Sequence, residues 1–133
     1  MRELVNSPEL AAPIGFSHAV KTSGDAVYLA GQTALDRQGK IVGTTMVEQF
    51  DQAAANLMTA LKAAGGKPDD LVSLQIFVTS VGEYKEALGD LGATWRTHFG
   101  RRYPAMGLFG VTELFDPEAK VELMGVAVIS PPA

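Results

Sequence analysis

Glu122 is the residue of this chain best placed to do chemistry. It is the one acid in the run Ala119-Lys120-Val121-Glu122-Leu123-Met124-Gly125-Val126-Ala127-Val128-Ile129. Side chains alternate along a strand, so Val121, Leu123, Ala127 and Ile129 fall on one face and Glu122, Met124, Val126 and Val128 on the other. A strand apolar on both faces must be covered on both. A carboxylate in such a strand is costly unless it is paired, hydrogen-bonded or used. A used carboxylate could act as a general base, given a water within reach and a pKa raised by burial. The structural alternative is an ion pair with Lys120 or with another subunit.

Other side chains could join it. Histidine as a residue type suits proton transfer near neutral pH, so His18 could be an acid–base partner of Glu122, or a hydrogen-bonded structural imidazole. His98, three residues after Trp95, reads as a helix-surface or interface residue. Arg101 and Arg102 read as solvated charges near a helix C-terminus, or as an anion contact reaching a cleft. Met106 and Met124 suit plain packing, or an adaptable wall around a flat ligand.

The elements that must position these groups follow from patterning. Strand signals lie at 16–22 and 25–31, with a turn over Asp36–Lys40. A helix is predicted over 46–64. Thr45 and Glu48 fit a capping box, Phe50, Ala54, Leu57, Leu61 and Ala64 make one stripe, and Gly65-Gly66 can end it. Residues 71–79 alternate as a strand, with Val72, Leu74, Ile76 and Val78 opposite Ser73, Gln75, Phe77 and Thr79. Ser80 and Glu83 repeat the capping pattern, and a second helix runs to 99 with the stripe Tyr84, Leu88, Leu91, Trp95 and Phe99. Strands at 105–111 and 119–129 complete the order β-β-α-β-α-β-β. The expected architecture is α+β, a mixed sheet with two helices on one face. The other face, with Phe77, Met124, Val126 and Val128, would be an exposed patch on a monomer, and a closed homo-oligomer would cover it.

Composition sets the outer bounds. The 133 residues suit a single domain, 1–133, and 47% hydrophobic with 20% charged residues marks a globular chain. A net charge of −4 argues against a broad nucleic-acid surface. The absence of cysteine excludes disulfides and thiol catalysis, and with 2 histidines a zinc site is not expected. The opening Met-Arg-Glu-Leu-Val-Asn-Ser-Pro shows no hydrophobic signal segment, and no apolar run approaches membrane-spanning length. A soluble cytoplasmic protein is the expectation.

The order and spacing of several segments resemble the RidA/YjgF family of reactive-intermediate deaminases. They are Pro13-Ile14-Gly15-Phe16-Ser17-His18-Ala19-Val20, Val27-Tyr28-Leu29-Ala30-Gly31-Gln32, Asn56 with Ala64-Gly65-Gly66, Gln75-Ile76-Phe77-Val78-Thr79, Phe99 with Tyr103-Pro104-Ala105, and Lys120-Val121-Glu122. The resemblance implies a chorismate-mutase-like fold and a homotrimer with clefts between subunits. It also implies hydrolysis of small enamines or imines to a carbonyl compound and ammonia, with no metal or organic cofactor.

The family site is carried over residue by residue. Its arginine directly follows the Pro-Ala of the penultimate strand, and that position is Met106. A guanidinium there would hold a substrate carboxylate through two parallel hydrogen bonds, and methionine supplies neither charge nor donor. The family tyrosine corresponds to Phe16, the serine before Gly-Gln to Ala30, and a frequent asparagine to Gly92. The acid survives as Glu122. The expected substrate-binding set is therefore Phe16, Ser17, Ala30, Gly31, Gly92, Ala105, Met106, Leu108 and Met124, with Glu122 and His18 as catalytic groups. A site stripped of polar groups loses discrimination for polar ligands. The expected ligand is neutral or aromatic rather than a 2-iminoacid, and the expected function is a cofactor-free hydrolase of an imine, enamine or related C–N compound. The alternative is a non-catalytic metabolite-binding or regulatory trimer. No membrane or nucleic-acid partner is expected.

Overall fold

A computed structural model describes residues 2–131; residue 1 and residues 132–133 of the expected 1–133 unit lie outside the described residues. The strands are β1 (Arg2–Val5), β2 (Ala19–Thr22), β3 (Asp25–Gln32), β4 (Leu71–Val78), β5 (Ala105–Gly110) and β6 (Val121–Ile129). The helices are α1 (Met46–Ala63), α2 (Val81–Glu86) and α3 (Leu88–Phe99). The main sheet is mixed, in the order β3-β6-β4-β5, with β6 antiparallel to both neighbours and β4 parallel to β5. Parallel neighbours need a crossover, and α2 and α3 supply it.

The expected faces hold. Leu74, Ile76, Val78, Val121, Leu123 and Ala127 are buried under α1 and α3, in one cluster with Phe50, Leu57, Leu61, Trp95 and Phe99. The opposite face carries Ser73, Gln75 and Phe77 beside Val126, Met124 and Glu122. Among the described residues no helix covers that face, and Tyr28 (81% exposed), Phe109 (48%) and Met124 (40%) present apolar surface there. Phe77 and Phe109 stack, with ring centroids 5.6 Å apart.

Four details differ from the sequence reading. β1, unmarked by any periodicity, pairs with β2 as a separate two-stranded sheet, so the strands do not form a single sheet. The first predicted strand starts at Ala19 rather than 16, because Ser17 is drawn to the start of β5. Its N–H donates to the Pro104 carbonyl at 3.1 Å and its hydroxyl to the Tyr103 carbonyl at 2.7 Å. The second helix breaks at Ala87, which takes φ −93° and ψ 2°. Its first turn is capped by Ser80 alone, since Glu83 turns away to meet Lys120 Nζ at 2.8 Å. Finally, β4 shifts register between Leu71 and Ser73, so Leu71 rather than Val72 is buried.

α1 starts where its capping box places it. The Thr45 hydroxyl accepts from the Glu48 N–H at 3.1 Å, and the Glu48 carboxylate accepts from the Thr45 N–H at 3.1 Å. Backbone hydrogen bonds from Thr44 and Thr45 hold the Glu48 carboxyl below its ordinary pKa. At the far end Ala64 is exposed as the cap residue, and Gly65 takes φ +91°. Gln49 is 1% exposed and links α1 to two loops. Its amide donates to the carbonyls of Gly43 at 3.1 Å and Glu118 at 2.9 Å, and its oxygen accepts from the Lys120 N–H at 2.8 Å.

Gln49→Leu leaves those backbone groups unmatched in the interior and should lower stability by about 2–4 kcal/mol, seen as a lower urea midpoint at unchanged slope. In an NMR pH titration Glu48 should titrate below a model glutamate. Because its folded pKa is depressed, its stabilising contribution is present above the unfolded carboxylate range and is lost as pH falls through the folded value.

Candidate functional site

Strand alternation divides the expected site residues between the two faces of the main sheet. Met106 pairs with Leu74 and Leu108 with Ile76, on the helix side. Glu122 pairs with Phe77, and Phe77 with Phe109, on the open side. Within one chain the two sets point away from each other.

On the helix side, Met106, Leu108, Phe16 and Gly92 line a cavity of about 480 Å³ between the edge strand β5 and α2–α3. Phe16 reaches it because Ser17 clips the preceding loop against β5. Tyr84, Leu88, Trp95 and Tyr103 complete much of the wall. Sequence reading assigned Tyr84, Leu88 and Trp95 to the core stripe. Nothing in the sequence sets Leu88 apart from that stripe, although it is 54% exposed in the structure and lines the cavity. No aspartate, glutamate, lysine or arginine lines this cavity among the described residues. Burial pushes the Tyr84 phenol above its usual pKa, so it stays neutral. Arg101 and Arg102 are exposed and do not line the cavity. The guanidinium near this wall belongs to Arg96. One of its nitrogens lies 3.7 Å from where a Cβ on Gly92 would stand.

On the open side, Glu122 is half-buried beside Gly31. The β3–β6 ladder shifts register between Leu29 and Gln32, which brings Ala30 and Gly31 out of regular pairing. A Cβ at Gly31 would run into the Glu122 carboxylate, so only glycine leaves room for the acid in this position. Lys120 is committed to Glu83, and among the described residues Glu122 meets no cation and no hydrogen-bond donor. Met124 lies two residues further along the same face.

His18 takes a different part from the expected acid–base one. Its Nδ1 accepts the Ser7 N–H at 3.1 Å and its Nε2 lies 2.9 Å from the Ala11 carbonyl, so Nε2 carries the proton and donates it. Its backbone N–H donates to Asn6 Oδ1 at 2.8 Å. Both ring nitrogens hold the loop that ends in Phe16, and neither is left for Glu122. Ser17 and Ala105 likewise join backbone to backbone through a parallel bridge. His98 pairs with Asp51 at 2.7 Å across α1 and α3, as a helix-surface residue would. No group of three or more His, Cys, Asp or Glu is placed to hold a metal ion among the described residues, and no helix there is long and apolar enough to cross a membrane.

Comparisons with known proteins bear on this arrangement. The model for the Endoribonuclease L-PSP family matches residues 6–129. A 2-iminobutanoate/2-iminopropanoate deaminase of Dermatophagoides farinae is 30% identical over 130 residues, covering 96% of this chain and 97% of that one. The protein of the same name from Mus musculus is 29% identical over 133 residues, covering 98% and 94%. Among solved structures, the Rid-family protein YyfB of Yersinia pestis superposes with a TM-score of 0.83 at 32% identity, covering 96% of this chain and 98% of that one. A Mycobacterium tuberculosis member of the YjgF/YER057c/UK114 family gives 0.66 at 28% identity, covering 97% and 100%.

The Gly31–Glu122 contact makes a direct prediction. Gly31→Ala should force the Glu122 carboxylate out of its present position while the thermal midpoint falls by less than about 5 °C, because the clash is with the end of a flexible side chain. A structure of the variant and its melting curve check both parts.

Proposed function

This chain belongs to the Endoribonuclease L-PSP family, the RidA/YjgF proteins, and on that footing we propose that it is a small-molecule hydrolase acting on an imine, enamine or related C–N compound. One observation carries the reading. An acid without a partner among the described residues and an apolar cavity lie on opposite faces of one sheet, and a second copy of the chain is what could bring such half-sites together. The uncovered face with Tyr28, Phe109 and Met124 supplies the surface for that association. A closed ring of three copies would place Ala30, Gly31 and Glu122 of one chain against Phe16, Gly92, Met106 and Leu108 of the next.

In such a cleft Glu122 orients a water, takes its proton as the oxygen adds to the C=N carbon, and passes that proton to the imine nitrogen to give a carbinolamine. Transfer of the carbinolamine hydroxyl proton to the amine through the same carboxylate then expels ammonia and leaves the carbonyl product. Backbone N–H groups near Gly31 or Met106 are the candidates for holding developing negative charge. The relatives named 2-iminobutanoate/2-iminopropanoate deaminase act, by that name, on imines bearing a carboxylate. The cavity here is walled by methionine, leucine and aromatic rings without a cation, which supports a neutral or aromatic substrate.

The same apolar wall supports a second reading, a trimer that binds a metabolite without turning it over. Turnover separates the two. Sedimentation should give three chains per particle. The protein should accelerate hydrolysis of a neutral aryl imine, and Glu122→Gln should slow it by about a hundredfold. Met106→Arg should raise the rate on enzymatically generated 2-iminobutanoate at least about tenfold, through the restored carboxylate contact. An imine that decays at its uncatalysed rate in the presence of the protein favours the binding reading.

A further inference from the structure

A second cleft, of about 510 Å³, lies between the end of β3, the loop that follows it and the flank of α1. Two periodicities build it. Gln52, Asn56, Thr59, Ala60 and Ala63 recur at spacings of three and four, so they form one stripe along α1 beside its buried face. Gln32 pairs with Leu123, and directly opposed residues of an antiparallel pair share a face. Gln32 therefore points to the α1 side of the sheet, where Leu123 is buried. Its amide has no hydrogen-bond partner among the described residues and is not sealed from solvent. Hydrogen bonds orient the neighbouring groups. Asn56 Nδ2 donates to the carbonyls of Thr33 at 3.0 Å and Leu35 at 2.9 Å, and its Oδ1 accepts from Gln52 Nε2 at 2.9 Å. The Gln52 amide is thereby fixed, with its oxygen left as an acceptor. In the turn, Asp36 Oδ1 accepts the N–H groups of Gln38 and Lys40, each at 2.9 Å, which leaves Oδ2. Arg37 is exposed and pairs with no acid among the described residues. Asp36 and Arg37 thus line one cleft with opposite charges that do not neutralise each other. An anion alone would meet the charge of Asp36, and a cation alone that of Arg37. A molecule bearing both charges matches both.

We propose that this cleft binds a free α-amino acid. The carboxylate takes the Arg37 guanidinium, and the ammonium lies between Asp36 Oδ2 and Gln52 Oε1. The methylenes rest on Leu35, Ala60 and Ala63, and a polar end group reaches the Gln32 amide. β3 and β5 are the outer strands of the main sheet, so this cleft and the apolar cavity stand at opposite edges. The site is therefore separate from the proposed reaction site and does not depend on the hydrolase reading.

NMR titration of ¹⁵N-labelled protein tests this. L-Glutamine is the probe, beside glutaramate, which lacks the ammonium, and 4-aminobutanamide, which lacks the carboxylate. L-Glutamine should shift the backbone signals of residues 33–37 and the side-chain amide signals of Gln32 and Gln52, and leave those of Met106 and Leu108 in place. Each truncated probe should bind at least about tenfold more weakly, the scale of one charge-assisted contact. Arg37→Gln should weaken L-glutamine by about tenfold and leave 4-aminobutanamide unchanged. Asp36→Asn keeps an oxygen for the Gln38 and Lys40 N–H groups; it should weaken L-glutamine to the same extent and leave glutaramate unchanged. No saturable shift, shifts confined to the apolar cavity, or a truncated probe that binds as well as L-glutamine overturns the proposal. The wild-type titrations decide even if a variant fails to fold.

Discussion

The position of β6 governs everything functional in this chain, and a buried glutamine sets where that strand begins. Gln49 reaches from α1 to the Glu118 carbonyl and the Lys120 N–H, the residues immediately before the strand. Those bonds fix which residue enters the sheet first. A slip of one residue would exchange the faces and drive Glu122 into the core. β6 is also hydrogen-bonded on both edges, to β3 and β4, so the error would spread through the sheet. An internal amide that satisfies three backbone groups thus settles where a carboxylate points.

With β6 placed, the two faces of the sheet acquire different work. One is closed by α1 and α3 around Phe50, Leu57, Trp95 and Phe99 and supplies the stability of the monomer. The other keeps Tyr28, Phe109 and Met124 in the open and leaves Glu122 without a partner among the described residues. A half-exposed carboxylate is tolerable in water, and it becomes useful when a second surface covers it and the local dielectric falls. Under the proposed reading, association and activation of the acid are one event.

The cavity follows from the edge position of β5. An edge strand has no sheet neighbour on one side, and the loop Ile14–Phe16, clipped by Ser17 and tied back by His18, stands beside it. The broken helix contributes the opposite wall. Its interruption at Ala87 separates Tyr84 from Leu88, and both face the space. A pocket so made is apolar because it is an extension of the core. Under the proposed reading, Phe16, Gly92 and Met106 supply no charged group to that wall, and the site takes a less polar substrate.

Periodicity alone determined the strand faces of β6 and of β4 from Ser73 onward and the start of α1 at Thr45, because alternation and capping are local properties of a few neighbouring residues. Motif order pointed to the family, since Gly31, Pro104-Ala105 and Glu122 stand in an order and spacing that resemble its pattern, and the family model matches residues 6–129. Tertiary structure decided the rest. β1 is too short to show a pattern and exists by pairing with β2. His18 became a loop anchor because Ser7 and Ala11 came within reach of its two nitrogens. Trp95, indistinguishable in sequence from a core residue, lines a cavity, and its buried indole N–H meets no acceptor among the described residues. Those outcomes depend on which distant segments meet, and hydrogen bonds act only at contact, so no local pattern in the chain could announce them.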